Sequence, residues 1–146
     1  MKLRHRVYAY ITQADRLLIL EHPEHPEAGV QVPGGTVEEH ESPGAAVLRE
    51  VKEETNLQVV ELVTCLGDEV VDMRPFGIQE RQHAWYYRVN CHESTPETWL
   101  HQESHSVAEP IPFRFYWVVL PYDGPELITI HGMKLRELYH SLSLRH

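Results

Sequence analysis

The sequence predicts an α+β fold, a mixed β-sheet with two packing helices, and three observations lead there. Its strand-like segments come in runs and do not alternate strictly with helices, which disfavours repeated βαβ units. Two stretches, 43–55 and 132–144, carry an apolar stripe at helical spacing. The 146 residues suffice for one domain with a real core and are too few for two ordinary ones. The expectation is a single domain over 1–146, without repeats, low-complexity tracts or an interdomain linker.

In chain order, Val7, Ala9 and Ile11 alternate with Tyr8, Tyr10 and Thr12, the pattern of a half-buried strand. Gln13-Ala14-Asp15-Arg16 turns into a second, well-buried strand, Leu17-Leu18-Ile19-Leu20. Two prolines and a glycine within 22–29 exclude a central strand there. Val30-Gln31-Val32 forms a short strand leading to Pro33-Gly34-Gly35, where the chain can neither continue a strand nor start a stable helix. Ser42 then serves as N-cap and Pro43 as the first helical residue, where its missing N–H is no loss. The helix runs to about Thr55, with Gly44, Leu48, Val51 and Thr55 as its core stripe, and Asn56 ends it in the left-handed conformation.

Beyond the helix, 58–66 reads as a strand that Glu69-Val70-Val71 continues after Gly67. Arg74-Pro75-Phe76-Gly77 turns, and 81–90 is an aromatic strand. The stretch 91–112 is long and polar, with a short strand at Trp99-Leu100; connections of that length are usually functional or mobile. The last strand is 113–120, and after a turn at Tyr122-Asp123-Gly124-Pro125 the helix 132–144 presents Leu135, Leu138, Tyr139 and Leu142.

With 42% apolar and 24% charged residues the balance is that of a soluble globular chain. No apolar run approaches the ~20 residues of a membrane helix. The start, Met1-Lys2-Leu3-Arg4-His5-Arg6, leads into an alternating strand and not into a signal sequence. Cys65 and Cys91 have no metal spacing and suggest no disulfide framework, so the cytoplasm is the expected compartment. A formal charge of −9 argues against nonspecific binding to nucleic acid. An acidic protein that handled phosphates would do so through metal ions and a few local Arg, Lys or His residues. His101 and His105, four apart, read as loop histidines more readily than as a zinc site.

Glu50, Glu53 and Glu54 fall at i, i+3 and i+4, on one face of the first helix. Like charges so placed repel by ~0.2–0.5 kcal/mol per pair in an isolated helix. They form either a solvated face softened by Arg49 and Lys52 or a hard-cation site that removes the repulsion. The preceding loop decides between the two. Gly35, Glu41, Arg49, Glu50, Val51, Glu53, Glu54 and Leu57 stand at the spacing Gly-x5-Glu-x7-Arg-Glu-Val-x-Glu-Glu-x-Asn-Leu, which resembles the Nudix box. The single departure is Asn56, where the family has Gly, and Asn is the next best residue for a positive φ.

The resemblance implies a Nudix α/β/α sandwich with a mixed sheet, in which the box, 35–57, forms loop–helix–loop. It implies a hydrolase cleaving the diphosphate linkage of a nucleoside diphosphate derivative by water, with Mg²⁺ as cofactor and Mn²⁺ as a substitute. Glu50, Glu53 and Glu54 would be the metal ligands, joined by the carbonyl of Gly34. Arg49 would hold the box acids in place without touching substrate, while Gly35 and Glu41 brace the loop. The family's base is a box glutamate or an acid from a later loop. Of Glu97, Glu103 and Glu109 we choose Glu103, central in the polar stretch. Trp85, Tyr87, Trp99, Phe115 and Trp117 could stack a base, although aromatics at alternating strand positions are more often core. The substrate-binding residues are not assigned. The implied partner is a small nucleoside diphosphate derivative, no membrane is involved, and a homodimer is left open. Two rivals stand beside this reading. One is a silent Nudix-fold nucleotide-binding module, although no box acid is missing. The other is a prenyl diphosphate isomerase, which would want a catalytic cysteine.

Overall fold

The computed structural model describes residues 1–102 and 112–144. Seven strands, β1 (Leu3–Gln13), β2 (Arg16–Glu21), β3 (Gly34–Thr36), β4 (Val60–Asp72), β5 (Arg81–Cys91), β6 (Thr98–His101) and β7 (Phe113–Val119), form one sheet. Two helices, α1 (Pro43–Thr55) and α2 (Leu135–Ser141), pack on its faces. The strand order is β4–β5–β1–β2–β7–β6, with β3 added to β1. Only β1 and β5 run parallel, so the sheet is mixed as expected.

β1 organises the sheet. One of its edges pairs with β5 from Leu3↔Arg81 to Thr12↔Asn90. The other edge is divided, with β3 opposite Arg6, Val7 and Tyr8 and β2 opposite Thr12 and Gln13. The segment 30–33 fills the fork between them. Ala9 donates to the Pro33 carbonyl at 2.8 Å, and Leu20 exchanges two 2.9 Å hydrogen bonds with Gln31.

Strand alternation divides the core in two. Val7, Ala9, Ile11, Leu18 and Leu20 face α1, where Ala46, Val47 and Val51 meet them. Tyr8, Tyr10, Leu17 and Ile19 face the other way, toward Ile130, Leu138 and Tyr139. The first strand is therefore buried on both faces, not half-buried. Its polar atoms are satisfied there: Tyr8 donates to Gln82 Oε1 at 2.8 Å, Tyr10 to the His131 carbonyl at 2.7 Å, and Thr12 to Asn90 Oδ1 at 2.8 Å.

Other expectations change in detail. Val30 and Gln31 make isolated bridges, to Leu127 and Leu20, and no strand of their own. The glycines expected to stop a strand lie in one, because β3 needs close approach and no positive φ. A Cβ on Gly34 would stand 2.5 Å from the Val7 carbonyl oxygen. The α1 stripe is Val47, Val51 and Thr55, with Ala46 alongside, while Gly44 and Leu48 lie at its margin. The strand after α1 is continuous through Gly67, at the cost of two register shifts. α2 is shorter than the pattern suggested, since Gly132 and Met133 belong to turns and Leu142 lies past its end.

Candidate active site

Local sequence sets the bounds of the helix that carries the site. Ser42 Oγ accepts from the Ala45 N–H at 3.1 Å and starts α1 with Pro43 in the first turn. Asn56 ends the helix at φ 68°, and its N–H bonds the Lys52 carbonyl. From β6, Trp99 Nε1 donates to the Thr55 carbonyl and His101 Nε2 to the Glu53 carbonyl, each at 3.0 Å. These donors serve carbonyls that a helix end leaves without intrahelical partners.

Arg49 is the hub. Its Nε and Nη2 hold the two oxygens of Glu41 at 2.8 and 2.9 Å, a two-pronged grip across the loop. Nη1 donates to Glu50 Oε1 at 2.8 Å and Glu53 Oε2 at 3.3 Å, while Nη2 also reaches the Thr36 carbonyl at 3.0 Å. Glu41 Oε1 in turn accepts the Glu38 N–H at 3.0 Å, closing the loop. The hydrogen bond from Arg49 pulls the Glu41 carboxyl down to about 2 against the opposing effect of desolvation. The same pairing raises the guanidinium, so both groups stay ionised.

Glu50 lies against β3: a Cβ on Gly35 would overlap its carboxylate, so the box glycine is the space in which that acid sits. The ladder orients the backbone. Ala9 to Pro33 and Val37 to His5 are hydrogen-bonded pairs, so the alternate residues, Gly34 and Thr36, turn their carbonyls away from β1. Thr36 spends its carbonyl on Arg49. The Gly34 carbonyl points out along the same edge. Glu54 is half-buried one turn after Glu50.

Among the described residues no three His, Cys, Asp or Glu side chains converge as a ready metal group, and Arg49 holds both Glu50 and Glu53. The donor set, carboxylates with an outward carbonyl beside them, is nevertheless all oxygen, the chemistry a hard divalent cation takes. Glu103, Glu109 and His105 lie outside the described residues. Glu97 is well exposed and pairs with Arg16 at 3.6 Å, beside the β1–β2 turn and away from β3. The aromatic candidates belong to packing: Phe115 and Tyr87 are core, and Trp85, Trp99 and Trp117 pack against the same cluster. Cys91 is buried and Cys65 is a free exposed thiol on β4. Two partners escaped the sequence reading, the Thr36 carbonyl and the Trp99/His101 caps. The first adjoins Gly35, but no local pattern announces the second.

Residues 2–120 match the family model described as the NUDIX domain. No protein among the curated sequences compared matches the chain. Solved structures do. A MutT Nudix hydrolase from Burkholderia pseudomallei superposes with a TM-score of 0.65 at 24% identity, over 94% of this chain and 99% of its own. A MutT protein from Methanosarcina mazei Go1 gives 0.63 at 21%, over 99% and 97%. A UDP-X diphosphatase gives 0.62 at 19%, over 97% of this chain and 64% of its own. The likeness to these structures is one of fold.

Proposed function

The chain belongs to the Nudix family and is a pyrophosphohydrolase, and from that premise we propose that it hydrolyses the diphosphate linkage of a nucleoside diphosphate derivative with the help of Mg²⁺. Nudix hydrolases generally use a divalent metal and act on such derivatives. The observation that carries the reading is the Arg49 hub, which gathers Glu41, Glu50 and Glu53 beside the outward edge of β3.

Glu50, Glu53 and Glu54 would hold the metal, with the Gly34 carbonyl completing the set from the strand. Mg²⁺ held there, or Mn²⁺ in its place, would neutralise diphosphate oxygens and make a coordinated water more acidic than bulk water. Arg49 is a positioning residue. Its donors are committed to carboxylates and a carbonyl, and it opposes the mutual repulsion that would spread the acids. Gly35 and Glu41 shape the loop, the first by leaving room for Glu50 and the second by anchoring the guanidinium. Glu103 is the proposed base, on sequence alone. We take 1–146 as one domain acting in the cytoplasm.

The test is a panel of nucleoside diphosphate derivatives incubated with Mg²⁺ or Mn²⁺, with phosphate read after a coupling phosphatase. Hydrolysis that stops in EDTA is the expected result. Turnover that persists in EDTA overturns the metal-dependent mechanism, and no turnover on any derivative overturns the substrate class.

A further inference from the structure

An acidic chain that acts on a diphosphate needs a cation to meet it, and Arg49 is already committed to four acceptors. The cations that remain near the box strand are Arg4 and Arg6. Both lie on the tyrosine side of β1, and Arg6 stands directly opposite Thr36. That pair is not hydrogen-bonded, a geometry that brings the facing Cα atoms to about 4.5 Å. Arg6 is therefore one residue from Gly35, across the strand from Glu50.

The surroundings of Arg6 are satisfied, and Arg6 itself meets the Tyr8 side chain but keeps one donor, its Nε, unpaired. Tyr8 donates to Gln82, Gln82 Nε2 donates to Glu80 at 3.0 Å, and Arg4 donates to Thr36 Oγ1 through Nε at 3.2 Å and Nη2 at 2.9 Å. Glu80 lies 3.9 Å from Arg4 and is, among the described residues, the one carboxylate in this chain of contacts. Arg6 has its guanidinium 5.7 Å from the Tyr8 ring centre, and its Nε is buried with no hydrogen-bond partner among the described residues. His131, its neutral neighbour, supplies no countercharge. Two guanidiniums against one carboxylate, with a buried donor unpaired, is an arrangement that lacks an anion.

We propose that Arg6, supported by Arg4, binds phosphoryl oxygens of the substrate on the strand side of β3, opposite the carboxylates of α1. The proposal rests on the hydrolase reading for the identity of the anion but not for its binding. The probe is inorganic diphosphate, titrated by calorimetry at low salt in EDTA so that no metal contributes. Wild type should bind, Arg6→Gln should bind at least tenfold more weakly, and Arg6→Lys, which keeps the charge and loses the fork, should fall between. The melting temperature of Arg6→Gln should equal or exceed that of wild type, because a repelling neighbour and an unpaired donor are gone. In turnover, KM should rise tenfold or more and kcat should change less. No diphosphate binding by wild type, equal binding by Arg6→Gln, or losses that follow a fall in melting temperature in both variants would each overturn the proposal. If wild type binds diphosphate in EDTA yet hydrolyses no derivative, the hydrolase reading fails and the anion site stands.

Discussion

The two faces of the sheet are closed by different physics. On the α1 face the contacts are largely aliphatic, Val7, Ala9 and Ile11 against Ala46, Val47 and Val51. On the other face the sheet turns three tyrosines inward, Tyr8, Tyr10 and Tyr86, and two of their hydroxyls fasten a loop: Tyr10 to the His131 carbonyl and Tyr86 to the Ile130 carbonyl, both at 2.7 Å. Area burial is insensitive to direction, so it can anchor a helix whose outer face carries mutually repelling acids. Tyrosine hydroxyls are directional and few, so the loop they hold is fixed at points. The face with the undirected core carries the demanding polar geometry, and the face with the directed bonds carries a covering segment.

Removing charge on the α1 side should have the largest effect. Glu53→Gln or Glu54→Gln keeps the side-chain size, and we expect a fall in rate of a hundredfold or more, ~3 kcal/mol on the transition-state scale. Steady-state kinetics with Mg²⁺ checks this, and near-normal turnover in both variants removes these acids from the mechanism. Next comes Arg49→Lys, because an ammonium cannot grip Glu41 with two donors while reaching Glu50 and Glu53. Metal affinity or rate should drop roughly 10–100-fold. A variant matching wild type in both would reduce Arg49 to a surface residue.

Two substitutions compare the faces directly. Val51→Ala deletes two buried methyls under α1 and should destabilise by about 2 kcal/mol. Tyr86→Phe keeps the ring and orphans the Ile130 carbonyl, at about 1 kcal/mol. Urea unfolding at neutral pH measures both, and a reversed order would mean that the tyrosine face depends on its hydroxyls more than the helix face does on its methyls.

The smallest effect is acidic. Glu41 titrates lower in the fold than its ordinary 4.5, at about 2, so its contribution is complete above about pH 4.5 and is lost as pH falls through about 2. The gap in melting temperature between wild type and Glu41→Gln should therefore be constant from neutral pH to about pH 5 and then shrink. A gap that widens on acidification contradicts the ion pair.

What was legible in the sequence was local. Ser42, Pro43 and Asn56 bound the helix correctly because caps act within a turn, and alternation and turn residues marked the strands other than β3. Tyr8, Tyr10 and Thr12 read as a wet face because their partners, Gln82, His131 and Asn90, lie 74, 121 and 78 residues away. β3 was hidden for another reason: its glycines answer to Val7 and Glu50, neighbours that exist only after folding. In the site, Arg49 bonds Glu41, Glu50 and Glu53, residues that the resemblance to the box had singled out, whereas the backbone acceptor at Thr36 has no side-chain signature.

The caps that β6 places on the end of α1 tie together two parts of the chain that could have varied separately. His101 grips the backbone of the residue whose side chain Arg49 holds, and Trp99 grips the residue two positions on. A substitution or insertion near β6 therefore reaches the box acids through two hydrogen bonds, without touching them. Descendants of this sequence that alter β6 inherit a constraint on the end of α1, and tolerated changes there should preserve the 99 and 101 donors before anything else.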